Sequence, residues 1–74
     1  MTPQEIFDHK LKWKSNSHIV KFHSDHKMNY YDWCKENFNK WEFDIITWTN
    51  VYEHSMIFEK VKDAEKFKLY IEKQ

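Results

Sequence analysis

The chain must build a stable core from few residues. It has 74 of them, and a domain of that size buries only about 60% of the surface that its unfolded chain exposes. Large aromatic rings compensate, since each buries roughly 150–250 Å², and the chain has four Trp, four Tyr and six Phe. We therefore interpret most aromatic residues as core residues, and we expect one domain spanning 1–74.

Hydrophobic spacing predicts an α+β fold with the element order α-β-α-β-β-α. Thr2, Pro3 and Glu5 form a capping-box pattern that favours a helix at the start, although the alternation of lysines with Leu11 and Trp13 also fits a strand. The predicted elements are a helix over 2–14, a strand over 18–23, a helix over 25–40, strands over 42–49 and 54–60, and a helix over 63–73.

The two later helices each show one apolar stripe with helical spacing. Asp63 is predicted to cap the last helix. The core-facing residues predicted for the second helix are Tyr30, Tyr31, Cys34, Phe38 and Trp41. Those predicted for the last helix are Ala64, Phe67, Tyr70 and Ile71.

The β-α-β-β-α part of this order matches a ferredoxin-like unit that lacks its last strand. A right-handed crossover places the first strand beside the third, which predicts a small three-stranded antiparallel-type sheet with strand order 1-3-2. The more apolar sheet face should pack against the two later helices. Its predicted residues are Val20, Phe22, Phe43, Ile45, Met56 and Phe58.

The opposite sheet face should carry an apolar patch that needs a cover or a partner. The first helix could cover it with Ile6, Phe7, Leu11 and Trp13, which fall on one broad face. A second copy of the chain or a different protein could cover it instead, and the sequence does not rank these two. With one residue of the following turn added, the candidate interaction surface is Ile19, Ile46, Trp48, Tyr52 and Ile57.

Charge and composition exclude several classes of function. The formal net charge is zero and the chain has no Arg, so nucleic-acid binding is disfavoured. The single cysteine, Cys34, cannot form an internal disulfide, and no apolar run or signal segment indicates a membrane, so we expect a cytoplasmic protein. Because the chain has no Gly, it cannot build a glycine-rich phosphate loop or a nucleophile elbow of the usual kind.

The residues with reactive side chains do not assemble into a recognisable site. His23, Asp25 and His26 could begin a zinc site, with His54 and Cys34 as distant candidates, but a helix cap explains the segment better. Cys34 lies in an apolar stripe and is expected to be a buried, inert thiol. We therefore assign no catalytic, metal-binding or cofactor-binding residue, and a metal-dependent hydrolase ranks last.

Several segments resemble a group of small proteins from tailed phages, including marine cyanophages, to which no activity is assigned. The resemblance rests on His23-Ser24-Asp25, Trp33-Cys34, Phe58-Glu59, the run from Thr49 to His54 and the opening from Thr2 to Phe7. It implies a phage origin, which agrees with a composition rich in the residues of A/T-rich codons.

These observations favour a non-enzymatic phage accessory protein that binds another protein of the host or the phage, or a second copy of itself. An inhibitor of host machinery or host defence fits that class. The alternative is a small single-stranded nucleic-acid-binding protein in which Trp48, with Lys21 and His23 nearby, stacks on bases.

Overall fold

A computed structural model describes residues 1–23, 27–47 and 53–73 of the chain. Its elements are α1 (Pro3–Trp13), a 3₁₀ turn (Lys14–Asn16), β1 (His18–His23), α2 (Lys27–Asn37), β2 (Phe43–Thr47), β3 (Glu53–Phe58) and α3 (Val61–Glu72). The three strands form one antiparallel sheet in the order β1-β3-β2. The predicted α+β class and strand order are therefore confirmed.

The first element is a helix, not the strand that its alternating lysines also allowed. Thr2 is the N-cap and lies in extended backbone. The amide of Glu5 donates to the Thr2 hydroxyl at 3.2 Å, and the amide of Thr2 donates to the Glu5 carboxylate at 3.1 Å. This reciprocal pair satisfies two amides that the first turn of a helix leaves without backbone partners.

Helices α2 and α3 cover one face of the sheet, and the main core lies between them and that face. The buried core residues are Phe22, Cys34, Phe43, Met56, Phe58, Ala64 and Phe67. Val20, Ile45, Tyr30, Tyr31, Trp33, Phe38, Tyr70 and Ile71 pack around them. The predicted apolar sheet face and the stripe predicted for α3 are confirmed, as are the first four residues of the stripe predicted for α2.

The end of α2 differs from the prediction. The helix ends at Asn37 rather than near residue 40, and Trp41 lies in a turn instead of on the helical stripe. The Asn37 amide donates to the Trp33 carbonyl at 2.8 Å, and the Asn39 amide donates to the Glu42 carboxylate. Asn side chains that bind local groups in this way compete with helix continuation. The sequence pattern does not show this competition.

The start of α3 also differs. The helix begins at Val61, with Lys60 as an N-cap that makes no side-chain capping bond, so Asp63 is the third helical residue and not the cap. β3 ends at Phe58 rather than at residue 60. The Lys60 ammonium lies 2.7 Å from the Glu42 carboxylate. We attribute the early turn to this contact, which joins residues distant in sequence.

Candidate interaction surface

The predicted interaction surface does not exist as one exposed patch. Ile57 is only 2% exposed and Ile46 is half-buried, whereas Ile19 is 57% exposed. Trp48 and Tyr52 lie outside the described residues. Predicting Ile57 as an exposed contact residue was wrong, and of the described members only Ile19 remains open to a partner.

Helix α1 lies on the second face of the sheet and accounts for the burial of Ile57. The Lys14 and Lys10 ammonium groups lie 2.9 and 3.8 Å from the carboxylate of Asp44, which is the strand partner of Ile57. The His9 ring lies 3.0 Å from the carboxylate of Glu59, two residues after Ile57. These contacts hold the helix across the β2–β3 side of the sheet.

Trp13 anchors the C-terminal end of α1. Its side chain is buried, and the indole N–H donates to the backbone carbonyl of Trp41 at 2.9 Å. A buried indole satisfied by a hydrogen bond contributes both apolar area and a fixed orientation. The first helix is therefore a cover of the second sheet face, which was one of the three predicted possibilities.

The helix covers the sheet with two of the four predicted residues, Ile6 and Trp13, whereas the other two are exposed. Phe7 and Leu11 are 54% and 56% exposed and point away from the sheet. The residues with contacts to the sheet or half-buried positions are Ile6, His9, Lys10 and Trp13, spaced by three, four and seven. Two of these four are polar, because the sheet face beneath them carries acidic Asp44 and Glu59.

The edge of the sheet formed by β2 is protected. The carboxylate of Asp44 accepts the backbone N–H of Ile45 at 2.8 Å, in addition to its ion pairs with Lys10 and Lys14. Side-chain caps and charges of this kind reduce the capacity of an edge strand to pair with another chain. This edge is the less suitable of the two for binding.

Within residues 1–23, 27–47 and 53–73, β1 pairs with no strand other than β3, so its outer side is an open edge of the described sheet, and the register shows which backbone groups face outward. The Glu59 amide donates to the Glu42 carbonyl at 2.9 Å, so odd-numbered residues of β3 point toward β2 and even-numbered residues toward β1. The β1 residues opposite these even-numbered residues are His18, Val20 and Phe22, and their backbone groups point toward β3. The backbone groups of Ile19, Lys21 and His23 therefore face the free edge.

A groove runs along this open edge, between β1 and α3. It has a volume of about 490 Å³. Its lining residues are Ile19, Val20, Lys21, Lys68, Ile71 and Glu72. The groove thus combines three aliphatic side chains with two cations and one anion, beside the side of β1 that pairs with no other strand in the described part of the chain.

Burial and neighbouring groups shift the pKa values of three further titratable residues. Burial raises the pKa of Glu42, but hydrogen bonds from Lys60 and Asn39 outweigh it, and the pKa of Glu42 is lowered overall. Burial and then the negative charge of Glu42 raise the pKa of Asp63. Burial alone raises the pKa of the Cys34 thiol to about 12, so the predicted burial of this cysteine is confirmed.

The residues considered for metal binding are not assembled into a site within the described part of the chain. His23 lies 3.1 Å from the Glu53 carboxylate on the surface, while Asp25 and His26 lie outside the described residues. Among residues 1–23, 27–47 and 53–73, no three His, Cys, Asp or Glu side chains are placed to hold a metal ion. Over the same ranges, no helix has the length and apolar character needed to cross a membrane.

The chain matches no family model, no curated protein sequence and no solved structure. The resemblance to small phage proteins therefore stays a prediction.

Proposed function

We propose that this chain is a non-enzymatic protein that acts by binding another polypeptide along the free edge of β1. The observation that carries the proposal is that, among the described strands, β1 pairs only with β3 and has on its other side a groove lined by three aliphatic and three charged residues. An extended segment added to such an edge gains backbone hydrogen bonds, and the groove gives side-chain selectivity.

Three of the other surfaces offer less to a partner. Helix α1 covers the second sheet face near Ile57, and Asp44 protects the β2 edge. Leu69 on the outer side of α3 is 56% exposed but is a single apolar residue among charged neighbours. Single exposed apolar residues are ordinary on protein surfaces.

The biological setting is also part of the proposal. The resemblance to tailed-phage proteins and an amino-acid composition rich in the residues of A/T-rich codons support a phage accessory protein that works in the host cytoplasm. Its partner would be a host or phage protein or a second copy of the chain, and for a host partner the corresponding role is an inhibitor of host machinery or host defence. This step rests on sequence resemblance and composition, while the binding edge rests on the structure.

The proposal is tested by affinity capture from bacterial lysate with three forms of the chain. Ile19→Lys places a charge on the open edge, and Leu11→Lys places the same charge at an equally exposed position on α1, since the two residues are 57% and 56% exposed. We expect the wild-type chain and Leu11→Lys to retain a protein that Ile19→Lys loses. Capture of the same foreign protein to the same extent by all three forms would contradict the proposal.

A loss confined to Leu11→Lys would place the binding surface on the outer side of α1 instead. Circular dichroism of each variant establishes that the fold is retained, which is expected because lysine is tolerated on edge strands and in helices.

A further inference from the structure

We infer that a second copy of this chain occupies the free edge of β1, so that two three-stranded sheets join into one six-stranded antiparallel sheet. This inference rests on the proposed function, because it names the partner of the same edge. Edge-to-edge pairing of identical strands is a common route to two-fold dimers.

The side-chain faces restrict how two β1 strands can pair. In an antiparallel pair, directly opposite residues lie on the same face of the sheet. The helix-covered face of β1 carries Val20 and Phe22, and the other face carries Ile19 and Lys21. A two-fold axis between two β1 strands must therefore lie at a residue, which then stands opposite its own copy. An axis between two neighbouring residues would place residues of different faces opposite each other. Only axes at Val20 or at Lys21 allow five of the six strand residues to pair.

Charge selects between these two registers. An axis at Lys21 would place the two Lys21 ammonium groups directly opposite each other, which is destabilising. An axis at Val20 places Lys21 of each copy opposite Ile19 of the other, where the aliphatic part of the lysine can cover the isoleucine. Because the backbone groups of Ile19 and Lys21 face outward, this register also gives them hydrogen-bonding partners.

The groove beside β1 is complementary to itself under the same two-fold axis. Lys68 and Glu72 of α3 both line the groove, with Ile71 between them. The two α3 helices would run antiparallel across the axis, and Lys68 of one copy would then lie toward Glu72 of the other. The two Val20 side chains and the two Ile71 side chains form the apolar part of this interface.

The inference is tested by an engineered cross-link at the predicted axis. In the Val20 register, the two Val20 residues form a non-hydrogen-bonded pair with a Cα separation of about 4.5 Å, which suits a disulfide. We expect Val20→Cys to form a covalent dimer under mild oxidation. The native Cys34 does not interfere, because it is fully buried and its pKa is about 12.

Val61→Cys is the matched control. Val61 is 53% exposed at the start of α3, about 15 Å along the helix from Ile71 at 1.5 Å per residue. In the proposed dimer the two copies of this position lie too far apart to be bridged.

Light scattering of the unmodified chain should give twice the 9.3 kDa mass of one chain.

Charge reversal tests the groove independently of the cross-link. Lys68→Glu should weaken the dimer roughly three- to tenfold, as expected for exposed ion pairs, and adding Glu72→Lys should restore it.

A monomeric mass at all concentrations, or equal cross-linking of Val20→Cys and Val61→Cys, overturns the inference. If Ile19-dependent capture of a different protein persists with a monomeric chain, the proposed function stands without the dimer. If that capture is also absent, both fail.

Discussion

Trp13 provides the clearest test of how α1 is held on the sheet. Its indole N–H donates to the Trp41 carbonyl at 2.9 Å, and its side chain is buried. Trp13→Phe removes this hydrogen bond, which is worth about 1 kcal/mol. It also leaves a small cavity that costs about 1 kcal/mol more. We therefore expect the free energy of unfolding to fall by about 2 kcal/mol.

For a domain of this size, a loss of 1 kcal/mol lowers the melting temperature by about 4–8 °C. The melting temperature of Trp13→Phe should therefore fall by about 8–16 °C when unfolding is followed by far-ultraviolet circular dichroism. Leu11→Ala is the control on the same helix, because Leu11 is 56% exposed and surface substitutions usually change stability by less than about 0.5 kcal/mol. Equal melting temperatures for wild type and Trp13→Phe would refute the anchoring role of Trp13.

Three further predictions follow from burial and charge. Ile57→Ala should cost about 2–4 kcal/mol, whereas Ile19→Ala, at its strand partner, should cost less than about 0.5 kcal/mol in urea unfolding; equal costs would contradict the covered position of Ile57. The pKa of Glu42 is lowered in the folded chain. The ionised Glu42 therefore adds to the free energy of unfolding above the pKa of the unfolded chain, and this addition is lost as the pH falls through the pKa of the folded chain. Glu42→Gln should therefore reduce stability at neutral pH by about 1 kcal/mol and flatten the loss of stability in acid, and a pH profile identical to wild type would be inconsistent with this. Cys34, with its pKa at about 12, should react with a thiol reagent at neutral pH only as the chain unfolds, so immediate labelling of the folded chain would exclude its burial.

Sequence patterns predict the structure correctly where the spacing of apolar side chains alone determines which face of an element is buried. Alternation along β1 correctly separated Val20 and Phe22 from Ile19, because burial on one sheet face requires a period of two. The spacing of Phe67 and Ile71 correctly oriented α3. In these elements the local pattern and the tertiary packing agree.

The failures occurred where contacts between distant residues decide the structure. The side of α1 that faces the sheet includes the polar residues His9 and Lys10. Their place there is explained by their contacts with the carboxylates of Glu59 and Asp44. A signal was present, since acidic residues on the second sheet face complement basic residues at helical spacing. No local signal links Trp13 to the Trp41 carbonyl, and so the sequence allowed α1 as a cover of the second sheet face but could not choose it over a partner.

The difference between the two sheet edges could not be predicted. Ile19 and Ile57 lie opposite each other on the same sheet face, yet Ile57 is buried and Ile19 is exposed, so a place on that face does not decide exposure. Protection of the β2 edge depends on the Asp44 carboxylate accepting the amide of Ile45, which is a property of the folded edge. Alternation along β1 therefore predicts which face Ile19 occupies but not which sheet edge is protected.

The most direct test of the open β1 edge is amide hydrogen exchange of Ile19 and Lys21, measured by NMR as the chain concentration is raised. We predict that these two amides exchange rapidly at low concentration and become protected together as the edge is occupied. The amides of Val20 and Phe22, already paired with β3, should be protected throughout. Rapid exchange of the two outward amides at every concentration, and also with any captured partner bound, would contradict an edge that binds a second strand.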